Sequence, residues 1–212
     1  MSDGLVVGPD GEQRCSWGAE PDIYRTYHDE EWGRPTTSDE RLFEKIALEG
    51  FQAGLAWIAI LRKRERFRRV FAGFDPATMA GFGPGDVERL LGDAGIIRHR
   101  GKIESAVSNA SQALEMIGEF DSLARYFWPH ATDQRDSPAR PGDIPAITET
   151  STALSKALKE RGWRFVGPTT IYAFMQAVGL VNDHLAGCFV RDEVEALRRP
   201  VLDRYLGGPT ST

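Results

Sequence analysis

The chain has 212 residues, enough for one sizeable core, and its 41% hydrophobic and 27% charged residues are the balance of a soluble globular protein. No apolar run approaches the roughly 20 residues of a membrane span, and the N-terminal MSDGLVVGPDGEQRC lacks the basic-then-apolar order of a secretory signal, which leads us to expect a cytoplasmic protein. A net charge of −5 argues against a large nucleic-acid footprint, and two cysteines exclude a disulfide scaffold.

Helical periodicity dominates in chain order. Thr37 with Glu40 three residues on has the form of a capping box, and Leu42, Phe43, Ile46 and Ala47 then mark one helical face. The stretch LAWIAILRKRERFRRVF continues in helical register through Leu55, Ile58, Leu61 and Phe71. DPATMAGF reads as an Asp cap with Pro76 at the first helical position. GDVERLLGDAG is a short helix stopped by Gly95, and RGKIESAVSNASQALEMI restarts one with Ile103, Val107, Ala110 and Leu114 in step. Pro129, Pro138, Pro141 and Pro145 make a loop of the region from Pro129 to Thr150. TSTALSKALKERGW is a capped helix closed by Gly162, and GPTTIYAFMQAVGLV is a buried helix headed by Pro168. No stretch alternates with period two and none repeats. The pattern predicts an all-α protein, one compact unit, with a frayed tail after Leu206.

The negative total conceals basic runs. Arg62, Lys63, Arg64, Arg66, Arg68 and Arg69 form one, and Arg98, Arg100 and Lys102 another, while acidic residues gather elsewhere, as in HDEEW.

Cys15, His28, His184 and Cys188 are the residues whose chemistry stands out. His184 and Cys188 are spaced i, i+4, which puts them on one side of a helical turn or in one tight loop. Spacing alone leaves three readings open: a closed Cys2His2 metal site, ordinary buried thiols beside unrelated histidines, or a disulfide. Four protein ligands would leave no position for water, so a metal held this way would be structural.

The stretches RCSWGAEPDIYRTYHDEEWG, LFEKIALEGFQAGLAWIAIL, DAGIIRHRGKI and FVGPTTIYAFMQAVGLVNDHLAGC resemble the signatures of the DNA-3-methyladenine glycosylase I family, within the helix-hairpin-helix DNA glycosylase superfamily. The resemblance runs from about Arg14 to Cys188. It implies an N-terminal extension over residues 1–14, a glycosylase domain over 15–188 with the hairpin near 93–103, and a C-terminal extension over 189–212 made of one helix and a disordered tail. It further implies one structural zinc per chain, on Cys15, His28, His184 and Cys188, tying the N- and C-terminal segments together. The implied reaction is hydrolysis of the N-glycosidic bond of 3-methyladenine in double-stranded alkylated DNA, by a monomer that flips the base out of the duplex.

The resemblance places Glu49 at the centre of catalysis and Tyr24, Tyr27 and Trp57 around the base. These residue types suit such a ligand, because a methylated, cationic ring is attracted to aromatic faces and to a carboxylate. Gly95, Arg98, Arg100, Gly101 and Lys102 fall where a hairpin would hold a DNA phosphate. The Gly-x-Gly of many such hairpins is missing, and the superfamily's catalytic Asp is not part of this family's pattern, so no Asp is assigned a role. A DNA-damage binding module without turnover and a small-molecule zinc hydrolase are the competing readings.

Overall fold

A computed structural model describes residues 4–132 and 137–207. Its elements are strands β1 (Leu5–Val7) and β2 (Gln13–Cys15), followed by helices α1 (Asp22–Glu30), α2 (Asp39–Gln52), α3 (Trp57–Leu61), α4 (Arg64–Val70), α5 (Pro76–Ala80) and α6 (Pro84–Leu91). Then come α7 (Arg100–Phe120), α8 (Leu123–Phe127), α9 (Glu149–Glu160), α10 (Pro168–Ala177) and α11 (Arg191–Leu206). The expected C-terminal helix is therefore present as α11, and the expected tail at 208–212 lies outside the described residues.

The chain resolves into two compact units rather than the single one expected. The first comprises Met1–Thr36, Phe127–Ala146 and Met175–Thr212, and the second Thr37–Tyr126 and Ile147–Phe174.

In the first unit, β1 and β2 form an antiparallel hairpin pairing Leu5 with Cys15 and Val7 with Gln13. Strands of three residues are too short to reveal alternation, which is why helical periodicity hides them. The turn chemistry of Gly8-Pro9-Asp10-Gly11 is nevertheless present, and Gly11 takes the positive φ of +84° that such turns demand. Among the described residues of this unit three arginines are buried, Arg14, Arg191 and Arg198. Arg14 is satisfied by Asp10 and Asp29, while Arg191 and Arg198 donate to backbone carbonyls.

In the second unit α2 buries Leu42, Phe43 and Ile46 as expected, but its cap is one residue later than the capping-box reading. Ser38 Oγ, not Thr37, accepts from the Arg41 amide at 3.3 Å. Phe51, Phe67, Phe71 and Phe74 stack into one aromatic core, with neighbouring ring centroids 4.7 to 5.8 Å apart. Asp75 caps α5 with Pro76 at its first position, as the sequence indicates. The predicted continuous helix through Leu55 is broken: α2 stops at Gln52, Gly54 adopts φ +80°, and two short helices follow. Gly92, not Gly95, caps α6. Alanines 106, 110 and 113 on α7 are buried and let α5 pack closely against it, while Leu114 is left exposed. Asn109 on α7 pins the chain after α9 by exchanging two 2.9 Å hydrogen bonds with the backbone of Arg164.

Candidate functional site

In the first unit Cys15, His28, His184 and Cys188 are all buried, and their donor atoms lie within 4.8 Å of one another. The cysteines are unbridged thiols. Cys188 Sγ is 3.6 Å from His28 Nε2 and 3.7 Å from His184 Nδ1. A tetrahedral ion with ordinary metal–sulfur and metal–nitrogen lengths sets these atoms about 3.6 Å apart. The far nitrogen of each ring is also occupied. His28 Nδ1 donates to Asp29 Oδ1 at 2.7 Å, and His184 Nε2 donates to the Trp32 carbonyl at 3.0 Å. Those partners fix the tautomers so that Nε2 of one ring and Nδ1 of the other present lone pairs to the same point.

The two thiols are paired: hydrogen bonding from Cys15 holds the Cys188 thiol below its ordinary pKa, and the same contact pushes the Cys15 thiol up. The Leu185 amide donates to Cys15 Sγ at 3.4 Å. Close approach demands glycine at one point: a Cβ on Gly18 would sit 2.4 Å from the His28 ring. The four residues fit a metal ion, and they close the site.

A second feature lies wholly in the second unit. Glu49, on the last turns of α2, is 5% exposed, and among the described residues no hydrogen bond reaches its carboxyl group. Burial pushes its pKa from the ordinary 4.5 up to about 8, against the pull of the Lys45 ammonium one turn earlier. Glu49 lines a small cleft of about 190 Å³ with Gln52, Leu55 and the first turns of α10 at Thr169 and Thr170. The turn at Gly54 carries Leu55 to the rim, where it is 42% exposed. Sequence periodicity counts Leu55 as a helical core position, and the structure corrects that. Trp57 opens α3, half-buried, and is not among the residues lining this cleft.

Tyr24 and Tyr27 belong to the first unit. Tyr27 is buried and Tyr24 half-buried, and both pack on Trp17 at ring distances of 6.4 and 6.1 Å. Trp17 also meets the His28 ring edge-on at 5.2 Å, so the tyrosines share one aromatic cluster with His28 of the Cys2His2 group.

The hairpin residues separate into two groups. Arg98 and Arg100 face solvent, with Arg100 paired to Glu88 at 2.7 Å, and Gly101 sits in the first turn of α7. Gly95 and Lys102 each have partners within the chain. The Gly95 amide donates to Asp93 Oδ1 at 2.8 Å, and a Cβ there would lie 2.6 Å from the Arg66 side chain. Lys102 is buried, its Nζ donating to the carbonyls of Phe51 at 2.8 Å and Ala53 at 2.6 Å. It thereby satisfies the C-terminal end of α2, the helix that carries Glu49. Lys63 and Arg66 brace the same hairpin through Ala94 O and Asp93. The basic run does not disclose that role, although Asp93 two residues before Gly95 is a recognisable turn signal.

The methyladenine glycosylase family matches residues 17–191. DNA-3-methyladenine glycosylase 1 of Escherichia coli K12 is 49% identical over 178 residues, covering 83% of this chain and 95% of that protein. A crystal structure of 3-methyladenine DNA glycosylase I superposes with a TM-score of 0.80 at 51% identity, covering 84% of this chain and 98% of the other. The Staphylococcus aureus enzyme, in a structure described as the basis of its 3-methyladenine recognition, superposes with a TM-score of 0.80 at 33% identity and covers 84% and 96%. A family match over residues 17–191, with relatives of this identity and coverage, shows that the chain belongs to the methyladenine glycosylase family.

Proposed function

We propose that the protein is a monofunctional glycosylase that releases 3-methyladenine from double-stranded alkylated DNA, acting as a monomer in the cytoplasm, where bacterial DNA resides. The observation that carries the mechanism is Glu49: a buried carboxyl group, without a hydrogen bond among the described residues, in an open cleft. Such a group is destabilising unless a ligand satisfies it. A base cationic through N3-methylation is that ligand. Its arrival favours the ionised carboxylate, so binding displaces the Glu49 proton and places a negative charge against the ring. When the C1′–N9 bond breaks, the bonding pair neutralises the base, which needs no further protonation to leave. Water adds at C1′ and gives up a proton, leaving an abasic sugar.

Reaching the cleft requires the base to leave the duplex. Leu55, apolar and exposed at the rim, is suited to fill the vacated stack as a wedge. Trp57, Tyr24 and Tyr27 are assigned to stacking on the base from the family pattern. Arg98, Arg100 and Gly101 are assigned to the DNA backbone. Gly95 and Lys102 are assigned to shaping the hairpin and α2 instead.

The metal on Cys15, His28, His184 and Cys188 is assigned as one zinc per chain. With two thiolates and two imidazoles it supplies no open position for chemistry and serves as a structural clip. The deciding experiment is a base-release assay on methylated and undamaged DNA. Free 3-methyladenine from methylated DNA is expected, with 7-methylguanine release measured alongside. Stoichiometric binding to alkylated DNA without release would overturn the enzyme assignment.

A further inference from the structure

The helix α11 begins at the last residue of the family match and extends fifteen residues beyond it. We infer that it is a clamp that holds the backbone behind both histidines of the metal centre, so that this chain keeps its metal against competing chelators. The inference rests on the metal assignment above.

A connected set of contacts carries it. Arg191, buried at the head of α11, donates Nη1 to the carbonyls of Asn182, at 2.9 Å, and of His184. Asn182 returns the contact, Nδ2 donating to Arg191 O at 3.2 Å and to Glu195 at 3.1 Å. The His184 ligand is thus gripped through its own peptide group. On the other side Glu193 takes Arg34 in a two-point ion pair at 2.8 and 3.1 Å. Arg34 Nη2 also donates to the Asp29 carbonyl at 2.9 Å, and Asp29 is the residue whose carboxylate orients His28. Further along, Arg198 is fully buried and donates to the carbonyls of Gly179, Leu180 and Thr132 and to Glu195. It anchors the segment leading into His184.

Carbonyl groups are the natural targets for such a device. A guanidinium has five donors in a rigid plane, so one side chain can tie several peptide groups without needing a matching side chain. Burial makes the Arg191 and Arg198 ties expensive to break, because a freed guanidinium or carbonyl would stand unsatisfied away from water, whereas the Arg34–Glu193 pair is exposed and weaker. Ligand backbones fixed in this way cannot swing out one at a time, and stepwise loss of ligands is how a chelator extracts an ion.

The test compares zinc-loaded full-length chains: wild type, Arg191→Met, Glu193→Gln, and Leu202→Ala, which removes a buried apolar contact from the same helix without touching these bonds. Zinc transfer to a colorimetric chelator is timed well below the melting transition of every variant. Cobalt(II) spectra report whether the site stays tetrahedral. Arg191→Met is expected to speed release on the order of tenfold or more, with a smaller acceleration for Glu193→Gln. Leu202→Ala is expected to lower thermal stability and leave the release rate unchanged. Equal rates for Arg191→Met and Leu202→Ala at equal loss of stability would overturn the clamp. Should Arg191→Met fail to fold, Glu193→Gln decides, and wild-type release from it overturns the clamp. A chain that binds neither zinc nor cobalt refutes the metal assignment itself, and the clamp with it.

Discussion

Asp29 accepts a 2.7 Å hydrogen bond from His28 Nδ1, the ring nitrogen facing away from the cysteines, while Arg14 holds the same carboxylate from behind at 3.2 and 3.3 Å. The charge on Asp29 strengthens this hydrogen bond as well as setting the direction of the ring. Asp29→Asn keeps an acceptor but loses the charge, so zinc affinity is expected to fall on the order of tenfold. Competition titration against a chelator of known affinity measures this, and unchanged affinity would show that Asp29 only fills space.

Removal of a ligand has a larger effect. Cys188→Ala leaves three ligands and breaks the link between segments 160 residues apart. About one zinc per wild-type chain is expected by elemental analysis, with the variant losing both metal and several kcal/mol of stability. Metal-free wild-type protein with an unchanged melting temperature would contradict the structural role.

Glu49 predicts a pH profile. If the carboxylate is the form that meets the cationic base, kcat/KM rises with pH and levels off above the free-enzyme pKa of about 8. Glu49→Gln should remove that rise and lower release by roughly 10²–10³-fold, the usual loss for an electrostatic group at a reacting centre. A wild-type kcat/KM profile flat between about pH 6 and pH 9 would rule out titration of this group in the free enzyme.

The same raised pKa has a consequence for folding with the opposite sense. Glu49 goes from 4.5 unfolded to about 8 folded, so the folded state holds the proton more tightly across that interval. Stability contributed by this group is therefore undiminished below pH 4.5 and is lost progressively up to about pH 8. Glu49→Gln should be close to neutral at the acid end and stabilising by a few kcal/mol near pH 8, since each tenfold change in proton affinity is worth about 1.4 kcal/mol. Urea denaturation of both proteins across that range gives the difference directly.

Lys102 and Arg98 should separate cleanly. Lys102→Met strips two carbonyls at the end of α2 of their donor and should destabilise by about 1–3 kcal/mol, with little change in the salt dependence of DNA binding. Arg98→Ala should leave stability alone and lower the slope of log K against log salt by about one unit. The reverse pattern would return Lys102 to the DNA surface.

Legibility in the sequence follows residue scarcity and period. Two cysteines and four histidines in the whole chain make Cys15, His28, His184 and Cys188 conspicuous, and the apolar face of α2 announces itself through Leu42, Phe43 and Ile46. Side chains satisfied by distant backbone are harder to read. Lys102 sits in a basic run that reads as solvated, yet its partners are carbonyls 51 and 49 residues earlier. Arg191 and Arg198 are likewise buried against backbone carbonyls that no local pattern foretells. Leu55 misleads for a different reason: helical register continues through it, and only the positive φ of Gly54 takes it out.

The order in which the chain is made imposes a schedule on assembly of the Cys2His2 cluster. Cys15 and His28 leave the ribosome first, and every residue of the second unit, ending at Phe174, is synthesised before His184 appears. At about 5–20 residues per second, the 160 residues between His28 and Cys188 take on the order of ten to thirty seconds to add. Throughout that interval the nascent protein carries half a binding site, two open ligands that any passing ion or oxidant can reach. Metal capture by all four ligands is thus confined to the closing moments of translation or later, and a truncated product ending before His184 cannot acquire that site at all.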